Sequence, residues 1–194
     1  MNKDFNIIIV GTGGQGLITL LKILAEASKI EGFDVKTSEL HGLSQRGGSV
    51  ECHIRFGKKI YSPLVEAGDA DLVLALEQNE SLRAAYYGLK KKTIFLINKL
   101  SVFSLSSVGK EMPLAQITKA LKNFSKKIIL LNASDIVKKE TGSIVTTGIF
   151  MLGFCAFKKI IPLKEKSIIQ AIEKVVPEKH LDLNRKIFKL SSKK

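Results

Sequence analysis

The chain has 194 residues, is 45% hydrophobic and 25% charged, and carries a formal charge of +13. Such a composition is that of a soluble globular chain with a single domain over 1–194, long enough to bury a core without disulfide or metal staples. The 2 cysteines, Cys52 and Cys155, lie far apart with no C-x-x-C spacing. They exclude an iron–sulfur cluster of about four thiolates and a cysteine-based zinc finger, and such sparse usage suits a reducing cytoplasm.

Asn6–Val10 is continuously apolar and predicts a strand buried on both faces. The stretch V-G-T-G-G-Q-G (Val10–Gly16) is a glycine turn, and a helix follows to Ile30 with Leu17, Leu20, Leu21, Leu24, Ala27 and Ser28 on one stripe. Gly32 ends that helix, and Asp34–Leu40 makes a second strand, so the opening reads as a β-turn-α-β unit.

His41–Ser49, H-G-L-S-Q-R-G-G-S, is a polar glycine-rich loop. Beyond it Val50, Cys52, Ile54 and Phe56 alternate with Glu51, His53 and Arg55, which predicts a strand with one wet face and His53 exposed on it. Gly57-Lys58 reads as a turn and Lys59–Ser62 as the returning hairpin strand, making the sheet mixed.

Asp71–Leu76 is a further strand, followed by a helix around Asn79–Leu89 and a strand at Thr93–Asn98. A serine-rich loop at Ser101–Ser107 leads to a helix beginning at Pro113, and Lys127–Asn132 is the next strand. From Ser134 the pattern is helical: Ser134–Glu140 closing at Gly142, then Ile144–Phe157, Leu163–Val176 and Leu181–Leu190. This alternation defines an α/β fold, a three-layer Rossmann-like domain with a mostly parallel mixed sheet and a helical C-terminal segment.

The N-terminal apolar run is too short for a signal peptide, and Ile144–Phe157 falls short of the roughly 20 residues of a membrane span. No membrane role is expected. The lysines come as scattered pairs, such as Lys58–Lys59, Lys126–Lys127 and Lys158–Lys159, rather than as a stripe interleaved with aromatics. A lysine-rich composition or an acidic partner accounts for them better than nucleic acid does.

Gly11-x-Gly13-x-x-Gly16 has the spacing and the strand–turn–helix setting of a dinucleotide fingerprint, and Glu39 near the end of the second strand is placed for a ribose. Leu17-Ile18 after Gly16 replaces the Lys-Ser/Thr of a P-loop, which argues against nucleotide hydrolysis. The same turn is also compatible with a tight packing corner. The second loop favours a site: it leaves the carboxyl end of the second strand carrying His41, Ser44, Gln45 and Arg46, side chains suited to an anion or a facing protein surface.

Three segments together carry a resemblance: G-T-G-G-Q-G, E-L-H-G-L-S-Q-R-G-G-S-V-E-C-H-I-R-F-G, and I-Y-S-P-L-V-E-A-G-D-A-D-L-V-L-A-L-E. They resemble the gamma component of the 2-oxoacid:ferredoxin oxidoreductases, and G-S-I-V-T-T-G-I-F-M-L-G (Gly142–Gly153) is similar to that family's helical segment. The similarity spans most of the chain, and the second loop favours the indolepyruvate branch. Such enzymes decarboxylate a 2-oxoacid on thiamine diphosphate, form an acyl-CoA and pass electrons through iron–sulfur clusters to ferredoxin.

The resemblance implies that thiamine diphosphate and the clusters belong to a larger alpha subunit, with CoA bound in the complex and no cofactor held by this chain alone. The absence of cluster thiolates and of a G-D-G…N diphosphate segment agrees with that division. On the same footing Gly11, Gly13, Gly14, Gln15, Gly16, Ser44 and Gln45 would line the cofactor-facing cleft. Arg46 would pair with a carboxylate or phosphate, and His41 would assist proton transfer or CoA binding.

The remaining conspicuous residues have plainer readings. The 3 histidines are scattered and make no metal site. Cys52, Cys155, Phe150, Met151, Phe154 and Phe157 are core or interface residues, and Glu77 at the end of its strand contributes a hydrogen bond on the rim. Two other readings stay open at this point: a free-standing NAD(P)- or FAD-dependent oxidoreductase, and a non-catalytic interaction subunit.

Overall fold

The structure, a computed structural model, describes residues 4–41, 48–102 and 112–194. Its centre is a six-stranded sheet of β1 (Phe5–Thr12), β2 (Asp34–His41), β3 (Ser49–Gly57), β4 (Leu72–Ala75), β5 (Ile94–Asn98) and β6 (Lys127–Leu131), in the order β2-β3-β1-β4-β5-β6. β1, β4, β5 and β6 run parallel, while β3 lies antiparallel between β1 and β2. The α/β class and the mixed, mostly parallel sheet are those the sequence implies.

The expected β-turn-α-β unit forms, with β3 inserted between its two strands. β2 is parallel to β1 but is not its neighbour, because β3 pairs with both of them. The hairpin is reassigned. Lys59–Ser62 forms no strand, and the segment after Gly57 instead crosses the polar face of β3. Arg55 Nη1 donates to the carbonyls of Ser62 and Leu64, and the Val65 N–H donates to His53 Nδ1 at 3.0 Å. The face expected to be wet is therefore covered, and His53, expected to be exposed, is 2% accessible.

Helices cover both faces. On one side α1 (Leu17–Ile30) packs with α4 (Ala133–Thr141), α5 (Thr147–Phe157), α6 (Glu165–Val175) and α7 (Leu181–Leu190) over Ile7, Ile9, Cys52, Ile54, Phe56 and Leu74. On the other, α3 (Leu114–Leu121) and the short α2 (Glu80–Arg83) lie with Ile60–Ala70 over Ile8, Val10, Val73, Phe95 and Ile97. β1 alternates its side chains between these two layers, which is why its sequence is an unbroken apolar run.

The helix expected around Asn79–Leu89 is shorter, one α turn and then a 3-10 turn at Ala85–Tyr87. Arg83 and Tyr86 are exposed, and Gly88 stops the chain in an extended conformation. α5 begins at Thr147, not Ile144, and is apolar and buried nearly all round as its composition implies. Among the described residues no helix is long and apolar enough to cross a membrane.

Candidate active-site rim

The carboxyl ends of the parallel strands and the start of β3 form one rim. Thr12 at the end of β1 stands opposite Ser49 at the start of β3, and His41 at the end of β2 stands opposite Val50. The glycine turn and both ends of the second loop therefore share an edge. The Gly13 N–H donates to the Gly48 carbonyl at 2.9 Å and ties one to the other.

The turn is built around Gln15. Its Oε1 accepts the Thr12 N–H at 2.8 Å, while its own N–H donates to the Thr12 carbonyl at 3.2 Å. Gly11 makes room for this carboxamide: a Cβ there would collide with Gln15 Oε1 and press on Leu17 and Leu76 at 3.3 Å. Gly16 is the N-cap of α1 at φ 80°, a left-handed conformation that disfavours side chains. Having no side chain, it leaves the cap open, and no acidic residue stands in the first turn. No side chain caps the first N–H groups of α1, and the helix dipole adds about half a positive charge there.

These groups border a cavity of about 380 Å³ between the start of α1, the 143–149 segment and the α6–α7 connection. Its walls include Gly16, Thr19, Thr146, Val176, His180 and Asn184. Thr146 is 8% accessible and its Oγ1 has no hydrogen-bond partner. Because leaving a hydroxyl buried and unpaired costs about 1–3 kcal/mol, the position is suited to a ligand acceptor or donor.

A smaller cavity lies between the ends of β1 and β4, bordered by Gly14, Gln15, Leu76 and Ser134. That gap is the switch point of the sheet, where connections depart to opposite sides. Its wall is held by buried polar contacts: Asn98 Nδ2 donates to Ser134 Oγ at 2.7 Å and to the Leu76 carbonyl at 3.0 Å, and Ser134 Oγ meets Thr147 Oγ1 at 3.3 Å.

Two carboxylates complete the rim. Glu77, 1% accessible, accepts the Glu80 N–H at 2.9 Å, Asn79 Nδ2 at 2.8 Å and the Val102 N–H at 3.3 Å. Burial pushes its carboxyl above the usual carboxylate range despite these donors. Its hydrogen bonds fix the 77–80 turn and the chain at Val102. Glu80 accepts the Ser49 hydroxyl and so anchors the returning end of the second loop.

Beneath the rim, Glu51 Oε1 accepts from Tyr87 Oη at 2.6 Å and from His53 Nε2 at 3.0 Å. Since Nδ1 of His53 accepts from Val65, its proton sits on Nε2. Burial acts to raise the Glu51 carboxyl, but the His53 and Tyr87 hydrogen bonds outweigh it and hold the group below its ordinary value.

Gly11, Gly13, Gly14, Gln15 and Gly16 thus meet at the rim, with Gln15 and Gly16 on the larger cavity. Ser44, Gln45 and Arg46 lie outside the described residues, and of His41 the strand position is described. Glu39 is exposed on β2, opposite Cys52. With β3 interposed, it sits two strand spacings from β1, about 10 Å, and is not placed to share a ribose with the glycine turn.

Thr146, Asn184 and His180 were not legible as site residues, because Thr146 belongs to an apolar run and the others lie more than 160 residues from the turn they adjoin. Cys52 and Cys155 are buried, and burial raises both thiols, Cys52 to about 12. Among the described residues no cluster of His, Cys, Asp or Glu could hold a metal ion.

An open α/β sheet with β3 wedged antiparallel beside β1, and an uncapped helix at its switch point, defines the class. A family model described as pyruvate ferredoxin/flavodoxin oxidoreductase matches residues 6–193, and the chain belongs to this family. Its relatives make the place within it narrower. The chain is 36% identical over 188 residues to indolepyruvate oxidoreductase subunit IorB of Archaeoglobus fulgidus, covering 95% of this chain and 92% of the relative. It is 35% identical to the IorB subunit of Thermococcus kodakarensis, covering 98% and 96%.

Among solved structures, the pyruvate oxidoreductase subunit PORC of Thermotoga maritima superposes with a TM-score of 0.70 at 21% identity, covering 99% of this chain and 97% of that one. The 2-oxoglutarate:ferredoxin oxidoreductase of Magnetococcus marinus, with 2-oxoglutarate, coenzyme A and succinyl-CoA bound, superposes with a TM-score of 0.72 at 19% identity. That match covers all of this chain, 100%, and 32% of the longer one. These two likenesses establish the shared fold.

Proposed function

We propose that the chain is the smaller subunit of an indolepyruvate-type 2-oxoacid:ferredoxin oxidoreductase, an assembly that converts an aryl pyruvate and CoA to an acyl-CoA and passes the electrons to ferredoxin. The larger alpha subunit carries thiamine diphosphate and the iron–sulfur clusters. Its reaction centre faces the rim of the present chain.

The observation that carries the reading is the stitched pair of glycine bends: Gly13 bonded to Gly48 at one edge, beside an uncapped helix start and the unpaired Thr146 hydroxyl. The N–H groups at the start of α1 and the Thr146 hydroxyl suit an anionic or hydrogen-bonding part of CoA, whose thiol accepts the acyl group. Thr19 and Asn184 border the same space. Arg46 would bind a phosphate or the substrate carboxylate, Ser44 and Gln45 would donate hydrogen bonds, and His41 would assist proton transfer or CoA binding. These side chains position and neutralise charge without bearing a cofactor.

A free-standing dinucleotide enzyme is disfavoured by the β3 insertion, which takes Glu39 away from the glycine turn. Reconstitution with the larger subunit tests the proposal. Indolepyruvate- and CoA-dependent reduction of an acceptor should require this chain. Full turnover by the larger subunit alone overturns the reading, as does an Arg46→Ala complex whose kinetics toward CoA and oxoacid are unchanged for the role of Arg46.

A further inference from the structure

The corner of the sheet farthest from the glycine turn along the rows of β5 and β6 has an uncompensated charge. Lys90 and Lys91 precede β5, Lys119 and Lys122 end α3, and Lys126 and Lys127 open β6. All of these lysines are exposed. Their turns lie against one another: the Lys126 N–H donates to the Lys90 carbonyl at 3.0 Å, and Ser125 Oγ donates to the Thr93 carbonyl at 2.6 Å.

Among the described residues, the stretch between Glu80 and Asp135 contains no carboxylate side chain. Lys92 meets Asp69 Oδ1 at 2.6 Å and Asp71 Oδ1 at 3.4 Å, so those neighbouring carboxylates are already engaged. None of the exposed lysines forms an ion pair with a described residue. Between them two apolar side chains stand in water, Leu89 at 50% and Phe124 at 37% accessible. A Cβ on Gly88 would meet the Phe124 Cβ at 3.0 Å, which places the two turns side by side.

An apolar centre inside a ring of one charge has the anatomy of a steered, transient protein interface. A second copy of the chain is disfavoured as the occupant by its own charge of +13. Nucleic acid is disfavoured because the corner holds no arginine to fork a phosphate, and Phe124 alone between the lysines is not a platform for successive bases. We infer that this corner docks an acidic protein, and specifically the small acidic iron–sulfur carrier that accepts the electrons. The choice of occupant rests on the proposed function and on the family description, which names ferredoxin.

The test uses the full complex carrying the triple charge reversal Lys90→Glu, Lys122→Glu and Lys126→Glu. A control complex carries Lys159→Glu, Lys166→Glu and Lys189→Glu, the same charge change on exposed positions of the helical layer. At low ionic strength the corner variant should raise KM for ferredoxin about tenfold, with kcat and the reduction of a small viologen dye unchanged, and salt should erase the difference. A KM within about twofold of wild type, or an equal rise in the control, overturns the docking corner.

Fluorescence anisotropy of labelled ferredoxin against the full chain alone reads docking without turnover. If the complex reduces no dye with any 2-oxoacid, the proposed function fails. The anisotropy then decides the corner separately: salt-sensitive binding lost in the corner variant upholds it, and unaltered binding removes it. Single-stranded DNA bound more tightly than ferredoxin at equal salt also overturns it.

Discussion

The N–H of Gly13 and the carbonyl of Gly48 meet at 2.9 Å, joining two bends that stand 35 positions apart in the chain. One bend opens α1 and the other returns the second loop to β3. Because Ser49 is also held by Glu80, the returning end of that loop is fixed from both sides.

The close fit at Gly11 predicts a coupling. Gly11→Ala should destabilise the chain by about 1–3 kcal/mol, since its Cβ displaces the Gln15 carboxamide. Gln15→Ala should cost about 1–3 kcal/mol by stranding the Thr12 N–H. The double variant should be less destabilised than the sum, because removing the carboxamide creates the space the new methyl needs. Urea unfolding of the four proteins measures this, and strict additivity would contradict the geometry.

Thr146→Val removes a hydroxyl that has no hydrogen-bond partner among the described residues. In the free subunit the melting temperature should be unchanged or higher, unlike substitutions that break a buried hydrogen bond. In the reconstituted complex the same variant should raise KM for CoA by about tenfold, the worth of one hydrogen bond to a charged group, with Thr146→Ser retaining affinity. A loss of stability in the free chain would show that the hydroxyl has an internal role.

The Glu51 carboxyl sits below its ordinary value in the fold, so the unfolded chain takes up its proton first as pH falls. Its contribution to stability is therefore present above the unfolded value of about 4.5 and is lost as pH drops through the lower folded value. Glu51→Gln should flatten the acid limb of a stability-versus-pH curve in that range. An identical acid limb in both proteins would refute the assignment.

His53 holds the covering segment in place through the Val65 N–H. His53→Ala should cost about 2–4 kcal/mol by opening a cavity, leaving that N–H without its acceptor and Glu51 with Tyr87 alone. Amide exchange at Val65 should accelerate more than at Ile8 or Ile97 in the same layer. Uniform protection across the layer would argue that the histidine packs without latching.

Much of this architecture is written in local pattern. The unbroken apolar run of β1, the stripe of α1 and the alternation of Val50, Cys52, Ile54 and Phe56 each declare an element and its buried side. What local pattern does not specify is the neighbour. The alternation in β3 is the same whether its polar face meets water or the 59–71 segment, so the burial of His53 was not legible. Nor does the period of β2 say that β3, and not β1, lies beside it.

At the rim, the glycine turn was readable because its chemistry is unsuited to a core, whereas Ser44, Gln45 and Arg46 lie outside the described residues. Thr146 was not readable, since a threonine inside G-S-I-V-T-T-G-I-F looks like any helix-entry residue. Only the pairing of helices from distant parts of the chain shows its hydroxyl to be without a partner. Glu77 was read as a rim group and is one, although its donors are its own turn and Val102.

The wedged position of β3 has an evolutionary consequence. Both ends of the second loop are clamped by ladders, to β1 through Ser49 and to β3 through His41, so lengthening or rewriting the bridge between them leaves every strand in register. Selection can exchange that bridge as a cassette while the scaffold beneath is inherited untouched.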